Sequence, residues 1–273
     1  MDQIYHIPSD GLEIAAEVFG AGEPLVFAHG LTGNRHFTRA QFAPLSDRYR
    51  IVIYDQRGHC NSTPVTDPTL YDLSRMADDM ATVMDYFQIE RAIVGGESMG
   101  AATTLQFVFR HPERVKTLLL TVPAFGDAPN PAAEEIRNMG REIAELGMAG
   151  FLKNSAQRLS EKGATPDVIA VIAKMQSSHD PASLAVACQT VIDWVMDDFS
   201  RLRKIQAPTC VIGWPNDNLH PYALAQQVAA TIPGARLETM PSLVELFRNP
   251  AVVGRIYERF LIDLSANLGE SRE

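Results

Sequence analysis

The chain reads as an α/β protein: a mainly parallel open sheet flanked by helices, with a helical subdomain inserted into it. Three observations predict this. Short apolar runs alternate with helix-length amphipathic runs from residue 11 to about 122. The alternation then stops, and helical periodicity alone runs from about 123 to 200. Strand character returns at Thr209–Gly213 and Arg236–Thr239.

Each element has its own signal. Leu12–Phe19 alternates apolar and polar residues, as a half-exposed strand does. Residues 24–28 form a short apolar run ending at His29-Gly30, and 37–45 follow with helical spacing. Residues 50–54 make the next strand and end at Asp55. Helical spacing returns over 71–87, followed by the strand Ala92-Ile93-Val94-Gly95 and a helix from Ala101. Residues 114–122 are strand-like, after the helix-ending pair His111-Pro112. In the inserted region helices are expected over 132–146, 151–159, 166–175 and 181–196, punctuated by Gly or Pro. A final helix is expected over 251–264, with a polar tail after Ala266. The expected division is a core of residues 1–122 and 201–273 around a lid of 123–200.

Composition narrows the function. A chain of 273 residues at 46% hydrophobic can bury one large core. Its net charge of −9, without a basic run, argues against nucleic acid or an anionic membrane as partner. Cys60, Cys188 and Cys210 are scattered with no C-x-x-C spacing, which suits a reducing compartment and no metal site. Residues 1–10 carry no apolar signal core, and no apolar stretch is long enough to span a bilayer. A soluble, cytoplasmic protein acting on a small molecule is therefore expected. No phosphate loop or ligand cluster is present, so no cofactor is expected. Nothing in the composition opposes a homo-oligomer.

The chemistry is concentrated in four places. Gly96-Glu97-Ser98-Met99-Gly100 joins a strand to a helix, where a sharp turn exposes a serine hydroxyl. His29-Gly30-Leu31 ends an earlier strand. Asp55-Gln56-Arg57-Gly58-His59-Cys60-Asn61-Ser62 ends another, and Gly213-Trp214-Pro215-Asn216-Asp217-Asn218-Leu219-His220-Pro221 a third.

Together, in their order along the chain, these motifs resemble the α/β-hydrolase fold superfamily over residues 11–264. The resemblance implies Ser98 as nucleophile, Asp217 as the acid that orients a histidine, and the Leu31 and Met99 N–H groups as an oxyanion hole. It implies an architectural role for the Asp55 loop, in which Cys60 stands where the family has glycine. His29, Trp194 and His220 are candidate substrate contacts. Met139, Leu146, Met148, Phe151, Leu152 and Met196 are further apolar lid residues that could line a pocket, although packing within the lid is the favoured reading, since helical spacing explains them without a ligand.

The resemblance also implies a catalytic histidine after the last strand, seven residues before a proline. Counting back from Pro250 reaches Leu243, which accepts no proton. Of the seven histidines, His6, His29, His36, His59, His111 and His179 stand in other segments. His220, three residues from Asp217, is the nearest spare imidazole, and Glu97 and Glu245 are nearby carboxylates. Three readings stay open: a hydrolase with a displaced base, a relative that has lost hydrolysis, or a normal hydrolase crippled by an introduced leucine. The expected function is a serine-dependent ester or lactone hydrolase for a small, largely apolar acyl group, weakened or inactive because of Leu243. The alternative is a non-hydrolytic small-molecule binding protein, or a non-hydrolytic enzyme, on the same scaffold.

Overall fold

The apolar runs pair side by side into one eight-stranded sheet. The computed structural model describes residues 3–270. The strands are β1 (Tyr5–Ser9), β2 (Leu12–Phe19), β3 (Glu23–Ala28), β4 (Tyr49–Tyr54), β5 (Ala92–Glu97), β6 (Val115–Thr121), β7 (Thr209–Gly213) and β8 (Arg236–Thr239). Their spatial order is β1-β2-β4-β3-β5-β6-β7-β8. The β1–β2 and β2–β4 pairings are antiparallel, and every later pairing is parallel. Parallel strands need crossovers, and helices supply them.

The helices are α1 (Arg35–Phe42), α2 (Leu73–Tyr86), α3 (Met99–Arg110), α4 (Ala133–Glu161), α5 (Pro166–Gln176), α6 (Pro181–Thr190), α7 (Tyr222–Thr231), α8 (Leu243–Arg248) and α9 (Ala251–Glu270). Side-chain caps start several of them. The Asn34 carboxamide oxygen accepts the Phe37 N–H at 2.8 Å, and the Asp72 carboxylate accepts the Ser74 N–H at 2.9 Å. Both faces of the sheet are covered. On one face Val94 packs among Met80, Val83, Leu105 and Val228. On the other Ile93 packs with Phe42, Tyr257 and Phe260. Central strands buried on both sides have no polar face, which is why β3 and β5 read as continuous apolar runs.

Between β6 and β7 the chain is helical, as its periodicity predicts. The two arms of α4 meet at Gly147, whose φ of 67° and ψ of 175° break the helix. Ile143, Phe151, Leu184 and Cys188 form a separate small core there. The helix expected to reach residue 196 stops at Thr190, and a short 3₁₀ turn, Val191–Asp193, follows. The last helix is longer than expected and continues through Glu270. The final three residues of the expected polar tail lie outside the described residues. No helix of the described residues is long and apolar enough to cross a membrane.

Candidate active site

Ser98 sits at the carboxyl edge of the sheet, between β5 and α3. Its φ of 53° and ψ of −110° lie where a side chain is strained. Neighbouring groups hold it there. The Ser98 N–H donates to Thr121 O at 3.0 Å, and Ser98 O accepts the Ala101 N–H at 3.0 Å. The flanking glycines permit the turn: a Cβ on Gly96 would lie 2.0 Å from Gly100 O, and one on Gly100 would lie 2.1 Å from Ala28 O.

An imidazole reaches that hydroxyl. His220 Nε2 lies 2.9 Å from Ser98 Oγ, and His220 Nδ1 lies 2.9 Å from Asp217 Oδ2. A carboxylate only accepts hydrogen bonds, so Nδ1 carries the ring proton and Nε2 is left to accept from the serine. The loop after β7 builds this pair locally. Asp217 Oδ1 accepts the N–H groups of Leu219 at 2.9 Å and His220 at 3.2 Å. That turn folds the imidazole back onto the same carboxylate. Burial pushes the Asp217 carboxyl up, but the His220 ring, the Trp214 indole N–H at 2.8 Å and the His220 backbone N–H outweigh it. The group is held well below the ordinary carboxylate range.

The expectation of an enzyme weakened because Leu243 stands in the place of the histidine is therefore overturned in its premise: an imidazole reaches Ser98 from another loop. Leu243 is the first residue of α8, partly exposed on the wall of the cavity that holds Ser98 and His220. Two other expectations are also corrected. His29 is no cavity residue: it is buried, its Nδ1–H donates to Gly30 O at 2.7 Å, and its Nε2 accepts the Gln56 N–H at 2.9 Å. Burial first, then the neighbouring His59, holds its pKa well below the usual value, so it is a neutral structural strut. Trp194 packs on Phe125 at 5.6 Å and borders a different cavity. Of the other apolar residues weighed as lining, Met139 borders the Ser98 cavity, whereas Phe151 is in the helical core and Leu146 faces solvent.

The loop after β4 is architectural. Arg35 N–H donates to Asp55 Oδ1 at 2.9 Å, and its guanidinium pairs with Oδ2. Arg57 donates to Asp79 through Nε at 2.7 Å and through its NH2 group at 2.9 Å. His59 spans the Arg57 and Leu31 carbonyls at 2.8 and 2.9 Å. That second contact fixes the Leu31 turn beside Ser98. Burial pushes the Cys60 thiol up to about 12, so it is no thiolate.

The Ser98 cavity holds about 220 Å³ and is mostly apolar. Leu31, Phe37, Ile172, Met175, Leu243 and Phe247 form much of its wall. Its polar groups include Glu97, Gln176 and His220, and no Lys or Arg borders it among the described residues. Glu97 Oε2 accepts from Gln41 Nε2 at 2.7 Å, and burial raises its pKa. Leu31 borders the same cavity and Met99 follows Ser98 in the chain, and neither N–H has a protein acceptor among the described residues. Sequence reasoning missed Glu97 and Gln176 as cavity residues. The available signal for His220 was its place three residues after Asp217, followed by the helix-starting Pro221.

Comparison with known proteins agrees with this arrangement. The family model of the alpha/beta hydrolase fold matches residues 23–158. The chain is 27% identical over 222 residues to 3-oxoadipate enol-lactonase 2 of Acinetobacter baylyi, covering 79% of each. A thermophilic esterase from Thermogutta terrifontis superposes with a TM-score of 0.81 at 25% identity, over 96% of this chain and 98% of the other. A hydrolase from Pseudomonas aeruginosa superposes at 0.79 and 26% identity, over 95% and 98%. With its eight-stranded sheet, its serine turn between β5 and α3, and these likenesses, the chain belongs to the α/β-hydrolase fold superfamily.

Proposed function

We propose that this chain is a serine hydrolase that cleaves carboxylic esters or lactones of small, neutral, largely apolar acyl groups through an acyl-enzyme. The observation that carries the reading is the unbroken series Ser98 Oγ, His220 Nε2, His220 Nδ1, Asp217 Oδ2, each contact 2.9 Å. His220 takes the Ser98 proton as Oγ attacks the carbonyl carbon, and gives it to the leaving alcohol. Asp217 holds the ring in the required tautomer and stabilises its charged form. The Leu31 and Met99 N–H groups receive the oxyanion, where each donor is worth roughly 3–4 kcal/mol to the transition state. Water, activated by the same imidazole, releases the acid.

The esterase and lactonase names of the relatives support this reaction class. The absence of a bordering cation among the described residues, together with the Glu97 carboxyl, supports a neutral acyl group. The helices between β6 and β7 act as the lid, contributing Ile136, Met139, Leu159 and Ile172 to the wall. The non-hydrolytic alternative rested on a missing base, and the His220 contact with Ser98 weighs against it. The test is labelling by a fluorophosphonate. Ser98 in the native chain is expected to react rapidly and His220→Gln slowly; equal, slow labelling of both would sink the proposal.

A further inference from the structure

Gln176 ends α5, is 8% exposed, and makes no side-chain hydrogen bond among the described residues; its Oε1 is buried without a partner. A buried, unpaired carboxamide opposes folding, and such groups are kept where something else pairs with them. Its position is fixed by the turn that follows. Asn34 Nδ2 donates to Ser178 Oγ at 3.0 Å, and His179 Nε2 lies 3.1 Å from Thr32 O.

Gln176 borders two cavities. One holds Ser98; the other, of about 450 Å³, lies between the arms of α4. Ile136, Met139, Ser155 and Leu159 border both, so the two spaces share an apolar wall with one carboxamide in it. Arg158, Lys162, Glu135 and Glu142 stand around the second. A primary carboxamide offers both an acceptor oxygen and N–H donors. The buried Oε1 is answered by an N–H donor such as that of a secondary amide, whereas an alkyl chain offers none.

We propose that Gln176 is a specificity-determining residue, pairing with a secondary amide in substrates whose ester or lactone carbonyl sits at Ser98 and whose apolar chain continues between the arms of α4. This rests on the hydrolase reading and adds the substrate class. The amide stands part-way along the chain, with apolar groups on either side.

The test uses two matched esters, one with a secondary amide in its acyl chain and one with methylenes in its place. The native enzyme is expected to favour the amide ester in kcat/KM by roughly tenfold, and Gln176→Met, of similar volume, to bring the ratio to about one. A native ratio near one, or a ratio that Gln176→Met leaves in place, overturns the proposal. Binding of a non-hydrolysable ketone analogue of each ester, followed by calorimetry, separates the two claims. If neither ester turns over, the amide analogue must still bind the native protein about tenfold tighter than its methylene counterpart, and Gln176→Met must bind the two analogues with the same affinity, for the amide contact to stand.

Discussion

His220 Nε2 and Ser98 Oγ lie 2.9 Å apart although 122 residues separate them in the chain. The sheet order explains how. β7 is two strands from β5 and β8 is three, and every one of these strands is parallel, so their following loops share one edge. The loop after β7 therefore starts one strand closer to β5 than the segment that leads into α8 and Leu243. With Asp217 and His220 both on that one loop, the later position is left to the cavity wall, where Leu243 stands.

His220→Gln is accordingly expected to lower kcat on a short-chain aryl ester by about 10⁴–10⁶-fold while the fold persists. Leu243→His is expected to add nothing comparable, because the native base is already seated. Steady-state kinetics on the two variants checks this. A gain of orders of magnitude in Leu243→His, with little loss in His220→Gln, would return the base to position 243.

Ser98 is held in a strained backbone conformation. Ser98→Gly relieves a side chain held at a φ of 53°, worth about 1–3 kcal/mol, of which the freer unfolded glycine takes back about 0.5–1 kcal/mol. The melting temperature is expected to rise by roughly 2–6 °C as activity disappears. Ser98→Ala keeps a Cβ at the same φ and should show no such rise. Calorimetry on the pair tests it: equal melting temperatures would mean the turn is unstrained.

The legible parts of this molecule were those written in contiguous residues. Ser98 and Asp217 stand in loops whose neighbours announce them, and the buried strands announce themselves by unbroken apolar runs. The role of His220 was not legible, because it depends on which strand ends are neighbours, and strand order is not a local property. The same holds for Glu97 and Gln176, whose meaning comes from a shared cavity assembled from α1, α4, α5, α8 and several loops. His29 misled for the complementary reason: an imidazole in a motif looks reactive until its two nitrogens are found engaged by Gly30 and Gln56.

The Arg57–Asp79 pair predicts a large stability effect away from the chemistry. Arg57 is fully buried and also donates to Leu70 O at 2.9 Å, while Asp79 accepts from Ser9 Oγ at 2.6 Å. Arg57→Ala strands a buried carboxylate, with an expected loss of about 3–5 kcal/mol. Arg57→Ala/Asp79→Ala is expected to be less destabilised than the single variant. Urea denaturation of the native protein, Arg57→Ala, Asp79→Ala and the double variant decides it; a double variant that loses the sum of both singles would show that the pair is not coupled.

Glu97 gives a pH signature with a defined sign. Burial raises its carboxyl pKa, against the opposing Gln41 hydrogen bond and the His220 ring. As pH climbs past about 4.3, the unfolded chain loses this proton while the folded chain still holds it, so stability falls until the raised folded value is passed. Glu97→Gln has no proton to lose and can still accept from Gln41. The variant's melting temperature should therefore match the native protein's near pH 4, overtake it as pH rises, and keep a constant lead once the raised folded value is passed. A lead of the same size at every pH, or a deficit at neutral pH, would mean that burial does not hold the proton. Removing the charge should also raise the relative kcat/KM for esters of acyl groups that bear a carboxylate, since no cation borders the Ser98 cavity among the described residues to offset Glu97.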